Sequence, residues 1–138
     1  MNPFTKELEN WKSGGKAISP VIDLLNIQPV EFSEGKAVLK MHAYAKHHNV
    51  VGSVHGGIFC DLGDVTMGCA LVSTLNEGES FTTLELSTNY LGKVVDDVIT
   101  ATATVIHRGR SIICVECELH NSTGKLIAKM KSTCMVLT

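Results

Sequence analysis

No stretch of this chain is apolar for the 18 or so residues that a bilayer crossing requires. Its opening, MNPFTKELENWKSGGK, mixes acids with bases and has no apolar signal core. Excess positive charge is missing as well. Twelve Lys and Arg face 14 Asp and Glu, and the basic residues are scattered, which is not the footprint of a protein that tracks phosphate backbones. Neither a membrane nor a nucleic acid is expected as a partner. Five cysteines, Cys60, Cys69, Cys114, Cys117 and Cys134, make an odd set. With no secretion signal in view, they point to free thiols in the cytoplasm. Repeats, linkers and low-complexity segments are absent. The 138 residues fit one domain, 1–138, in which residues 1–17 form a helical extension.

Two candidate chemistries fall away on spacing. Cys114-Val-Glu-Cys117 is formally C-x-x-C, but it lies in a segment that alternates like a strand, which puts the two thiols on opposite faces. The histidines His42, His47, His48 and His55 gather before one helix without a metal-ligand spacing. His47 and His48 read as loop surface, and His55 as a loop-fixing residue rather than a proton shuttle.

The remaining pattern is α+β. Short helices are expected over 4–12 and 18–25, the second opened by Ser19-Pro20. Strands follow at 28–32 and 36–42 around the turn Ser33-Glu34-Gly35, then a loop over 43–54. One helix runs from Gly56 to about Leu75, and strands are expected at 80–91, 98–107, 111–120 and 125–137. Strands joined by tight turns favour an antiparallel sheet.

The helix is the unusual part. From Ile58 to Leu75 it is apolar nearly all the way round, as a buried helix is, yet it carries Asp61 and Asp64 on one face. Burying a carboxylate costs several kcal/mol or more unless it is paired or neutralised. Gly63 and Gly68 cost about 1 kcal/mol each relative to Ala, and they suggest that another backbone or a ligand comes close. At the helix start, Gly56 and Gly57 present amide hydrogens at the positive end of the helix dipole, where a developing oxyanion is stabilised. Gly57 and Asp64 are roughly 10 Å apart along the helix axis. They can act on one atom only if the aspartate comes from a second copy, so a homodimer with composite sites is expected.

At these residues the sequence resembles the hotdog-fold acyl-coenzyme A thioesterases of the PaaI-like (phenylacetic acid degradation) branch. Their pattern is N-x-x-G-x-x-H-G-G with an acid seven residues after the second Gly. Asn49, Gly52, His55, Gly56, Gly57 and Asp64 match it, and the blocks Phe81–Leu91, His107–Ser111 and Gly124–Ala128 extend the match over about residues 20–137. The resemblance implies an antiparallel sheet of five or six strands around one long helix, in homodimers that often pair into homotetramers. It implies thioester hydrolysis, with Asp64 as general base or nucleophile and the Gly56 and Gly57 amides polarising the carbonyl. Asn49 and His55 would stand beside them, with Thr83 near the acid. Tyr90, Arg108, Gly109, Arg110 and Ser111 would meet coenzyme A, Tyr90 being equally suited to the core. Asp61 falls outside the pattern. No metal or redox cofactor is implied, since coenzyme A arrives with the acyl-CoA substrate. Two other functions fit the same frame: a non-catalytic acyl-CoA binding protein, and a hotdog hydratase or dehydratase using a histidine paired with an acid.

Overall fold

The computed structural model describes residues 2–138. Three helices, α1 (Pro3–Lys12), α2 (Pro20–Leu25) and α3 (Gly56–Val72), accompany six strands: β1 (Gln28–Ser33), β2 (Lys36–Ala43), β3 (Ser80–Tyr90), β4 (Asp97–Arg108), β5 (Ile112–His120) and β6 (Leu126–Leu137). The strands form one sheet in the order β1-β2-β4-β5-β6-β3, antiparallel throughout. The expected loop at 43–54 contains a 3₁₀ turn, Ala45–His47.

Strict alternation builds the core. Ala37, Leu39, Met41 and Ala43 of β2, Ile99, Ala101 and Ala103 of β4, and Ile113, Val115, Cys117 and Leu119 of β5 are all buried, as a sheet with one covered face requires. The helix α3 lies across that face, chiefly over β4, β2 and β5. The alanines explain why it can come so close. Ala37 pairs with Ala103 and Leu39 with Ala101, which leaves a shallow bed for Leu62, Met67 and Leu71, each no more than 1 % exposed. Cys114 and Cys117 do fall on opposite faces, half-buried and buried respectively.

Three expectations need correction. The helix is not buried all round: Asp61 and Asp64 are exposed on a stripe that the chain's own sheet leaves uncovered. Gly63 and Gly68 do not receive a ligand or another backbone. A Cβ at Gly63 would stand 2.1 Å from Met130 Sδ, and one at Gly68 would stand 3.2 Å from Phe81 Cζ, so these glycines make room for side chains of β6 and β3. The helix also stops at Val72, with Ser73 as its cap, because Ser73 and Thr74 turn their hydroxyls back onto the carbonyls of Ala70 and Leu71.

Candidate active site

Strand β3 runs antiparallel to α3 along the border of its exposed stripe and meets it once per helical turn. Phe81 packs at Gly68. The Thr83 hydroxyl donates to Asp64 Oδ1 at 3.2 Å, Thr88 Oγ1 lies 3.5 Å from Cys60 Sγ, and the Tyr90 hydroxyl donates to the Gly56 carbonyl at 3.0 Å. The helix positions step by four, which is one face. The strand positions step by two except between Thr83 and Thr88, where the pairing with β6 shifts register between Thr83 and Glu85. That bulge inserts one residue and reverses the alternation. Without it, Thr88 and Tyr90 would point away from the helix.

At the helix start, His55 is the N-cap. Its Nδ1 accepts the Gly57 amide hydrogen at 2.9 Å, and its carbonyl accepts that of Ile58 at 3.0 Å. The tautomer that accepts at Nδ1 carries its hydrogen on Nε2. The Gly56 amide has no partner among the described residues. Of the two glycine amides, only this one is unoccupied. Gly56 must also stay small, since a Cβ there would stand 2.9 Å from the Tyr90 hydroxyl oxygen. Burial and the bond to Cys60 Sγ, 3.2 Å away, act together on that phenol: the Cys60 bond first, then burial, push its pKa up to about 12.

Asn49 is occupied in shaping the loop. Its Oδ1 accepts from the amides of Val51 and Ser53 at 3.0 and 3.2 Å, and its Nδ2 donates to Ser53 Oγ at 3.3 Å. Gly52 completes the turn at φ +82°, a left-handed conformation that suits glycine. His47, read as surface, is buried at 6 % exposure. Its Nδ1 accepts the Tyr44 amide hydrogen at 3.1 Å, and its pKa lies below the ordinary histidine value because burial strips its water, with the Lys46 charge adding to the effect. His48 meets the Val95 carbonyl at 2.7 Å.

The turn expected to meet coenzyme A lies at the other end of α3. Arg108 Nε donates to the Thr74 carbonyl at 3.1 Å, its Nη1 to the Gly109 carbonyl, and its Nη2 pairs with Glu79 at 2.6 Å. The Arg108 guanidinium is therefore held within its own chain, while Arg110 and Ser111 are exposed. From Gly56 to Val72 the helix is about 25 Å long, so Gly56 and Arg110 of one chain do not face the same small molecule's reacting end.

Asp61 stands beside Asp64 on the open stripe. Loss of hydration first, and the Asp64 charge second, hold its carboxyl above the usual carboxylate range. Burial pushes the thiols of Cys69 and Cys117 up to about 12, which leaves them unreactive. No three metal-ligating side chains converge among the described residues, and no helix is long and apolar enough to cross a membrane.

Residues 51–128, more than half of the chain and including every contact just described along α3 and β3, match the Thioesterase superfamily. The chain belongs to that family. A putative esterase of Caenorhabditis elegans is 36 % identical over 110 residues, covering 78 % of this chain and 64 % of its own length. Human acyl-coenzyme A thioesterase 13 is 30 % identical over 107 residues, covering 75 % of each chain. The PaaI protein of the Escherichia coli phenylacetic acid degradation operon superposes with a TM-score of 0.85 at 23 % identity, covering 96 % of this chain and 95 % of that one. The six-stranded sheet with its long helix is thus the hotdog fold of this thioesterase family, and the resemblance read from N-x-x-G-x-x-H-G-G identifies a true relative. Thr83 and Tyr90 are expected near the site from the sequence; what sequence reading missed is Thr88 and the bulge, without which Thr88 and Tyr90 would not share a face with Thr83, and the break in alternation between Phe81/Thr83 and Thr88/Tyr90 is the signal for it.

Proposed function

We propose that this thioesterase-family protein hydrolyses acyl-coenzyme A thioesters. The observation that carries the proposal is the placing of an exposed carboxylate, Asp64, and an unpartnered helix-terminal amide, Gly56, along one uncovered edge of α3. They lie eight residues apart, or about 12 Å, too far to act on one carbonyl within a chain. A second copy, turned by a two-fold axis, would bring its Asp64 to this chain's Gly56 and make two equal sites. Two features favour such a pairing. Strand β3 is the end of the sheet, with Leu84 at its bulge 55 % exposed, an edge that invites a partner. The α3 stripe beside it is the only part of that helix left open to water.

In this reading the Gly56 amide takes the thioester oxygen, aided by the helix dipole and by His55 Nε2–H. Asn49 borders the same approach. Asp64, steadied by Thr83, removes a proton from water; the hydroxide adds to the carbonyl carbon, and the tetrahedral adduct collapses with release of the coenzyme A thiolate, which recovers the proton from Asp64. The alternative route has Asp64 attack directly and form a mixed anhydride that water then opens. Arg110 and Ser111 of the partner, in the β4–β5 turn beside the C-terminal end of its α3, would serve the phosphates. Coenzyme A enters as substrate, so the chemistry calls for no further cofactor.

The hydratase reading wants a histidine held by a carboxylate. His55 turns its Nδ1 to the Gly57 amide instead, and the His–carboxylate pair found among the described residues, His42 with Asp96 at 2.7 Å, is exposed on another part of the surface. The binding-only reading is separated by turnover itself. Asp64→Asn and Asp64→Ala are expected to keep the fold and to lose thiol release by about a hundredfold or more. Undiminished release from Asp64→Asn would overturn the assignment.

A further inference from the structure

We propose that the N-terminal segment of this chain, α1 together with residues 18–22, walls the compartment that receives the acyl group, and that this compartment sets an upper size of about eight heavy atoms. The inference rests on the thioesterase reading of Asp64. A cavity of about 240 Å³ opens beside that carboxylate. Phe4 and Leu8 of α1 form one wall, Ile18 and Ile22 another, and Val65 with Val72 of α3 the third. Apart from Asp64 itself, the surfaces nearest α3 are apolar. Gly68 contributes to the space by having no side chain there, since a Cβ would already crowd Phe81 at 3.2 Å. At the roughly 30 Å³ that a water-sized group occupies in a liquid, the cavity holds about eight heavy atoms.

The wall is fixed rather than loose. Asn2 is buried and joins α1 to the loop between α3 and β3: its Oδ1 caps the helix at the Phe4 amide, 3.1 Å, while its Nδ2 donates to the carbonyls of Asn76 and Glu79 at 2.8 and 3.0 Å. At the other end of α1, Trp11 is 5 % exposed and packs on Phe32 with ring centroids 6.0 Å apart. Beyond Ile18 and Ser19 the space changes character. There it gives onto an open trough lined by Glu7, Asn10, Lys16 and Asp23, where further methylenes would stay in water. An aliphatic tail therefore gains affinity up to the end of the apolar cavity and little after it, each buried methylene being worth about fourfold in binding. Straight acyl groups of about six to eight carbons and single-ring aryl-acyl groups fit these limits. Acyl groups ending in a carboxylate do not, with Asp64 and Glu7 both on the lining.

The test is a specificity profile, taken on straight-chain acyl-CoA thioesters from acetyl to palmitoyl together with benzoyl and phenylacetyl thioesters. Thiol release gives kcat/KM, and calorimetry with non-hydrolysable thioether analogues gives affinity. Two variants outside the proposed catalytic set probe the wall: Phe4→Ala, at a residue already 37 % exposed, and Ile18→Phe, which adds volume. The expected result is an optimum near eight carbons or a single ring, shifted longer by Phe4→Ala and shorter by Ile18→Phe. A profile that stays put in both variants while turnover continues overturns the inference and leaves the thioesterase reading standing. Analogue binding that follows chain length and shifts in the variants, without any turnover, upholds the compartment and removes the catalytic reading. Neither turnover nor binding removes both.

Discussion

The Thr83 hydroxyl donates to Asp64 Oδ1 at 3.2 Å across the seam between β3 and α3. Thr83 sits immediately before the bulge, so its side chain still faces the helix while the strand beyond it changes phase. A hydrogen bond to a charged group contributes about 1.5–3 kcal/mol, and the open setting of this one places it at the low end. If Asp64 drives hydrolysis, Thr83→Val is expected to lower kcat by about tenfold with little change in KM, and Thr83→Ser to stay near the parent. Equal losses in both variants, measured by thiol release, would separate the hydroxyl from the carboxylate's work.

Asp61 offers a prediction with a defined pH sign. Its folded-state pKa is raised, so the folded protein holds that proton more tightly than the unfolded chain does. The destabilisation is absent below the unfolded value of about 3.8 and grows as pH rises through the folded value. Asp61→Asn should therefore raise the urea midpoint at neutral pH and leave it unchanged near pH 3.5. The gain should stay under about 1 kcal/mol, because the carboxylate is exposed. A gain over the parent that is larger at pH 3.5 than at neutral pH would contradict the assignment.

Gly63 and Gly68 look alike in the sequence and should behave differently. Alanine gains about 1 kcal/mol over glycine within a helix. At Gly63 the new methyl would meet Met130 Sδ at 2.1 Å in the core, and such overpacking costs about 1–3 kcal/mol. Gly63→Ala is thus expected to be destabilising by up to about 2 kcal/mol. In a Met130→Val background the same change should become neutral or favourable. Gly68→Ala, with Phe81 Cζ at 3.2 Å, should be close to neutral. Denaturant midpoints for the parent, the three single variants and the double variant decide the point, and a Gly63 penalty that persists without Met130 would point to another cause.

Arg108 and Arg110 divide in the same way. Arg108 is paired with Glu79, whose side chain is 15 % exposed. Arg108→Ala leaves that carboxylate with only the Asn76 amide as its partner, at a cost of about 1–3 kcal/mol. Arg110 is exposed, and Arg110→Ala should leave the melting temperature alone while raising KM for coenzyme A thioesters about tenfold, an effect that shrinks with added salt. A KM effect confined to Arg108 would reverse the roles.

These contrasts show where the sequence was legible. Strand alternation is a local property, and the expected ends of all six strands fall within one residue of the observed ones. The motif from Asn49 to Asp64 carried the family because its spacing is tied to one turn, one N-cap and one helical face. Partner choice was not legible. That Gly63 answers to Met130, Arg108 to Glu79, and Phe81 to Gly68 depends on how distant segments are brought together, and nothing in the neighbouring residues encodes it. The apparent all-round apolarity of α3 hid its open stripe for a related reason. Periodicity reports which residues are apolar, and it does not say which side of the helix the rest of the chain covers.

The assembly yields the most demanding prediction. If each site joins the Gly56 amide of one protomer to Asp64 of its partner, two differently disabled chains should restore one another. Gly56→Ala places a Cβ 2.9 Å from the Tyr90 hydroxyl oxygen and so disturbs the cradle; Asp64→Asn removes the base. Each variant alone should be inactive as a homodimer. In a mixed dimer, one site has both groups disabled and the other has both intact. Equal mixing by refolding puts about half of the chains into mixed dimers with one working site in two, so about a quarter of the parental activity should return. Chains that carry complete sites of their own would give no recovery at any ratio. Following thiol release against the mixing ratio, with the oligomer measured by light scattering in the same samples, distinguishes the two arrangements, because recovery in trans must peak at equal amounts.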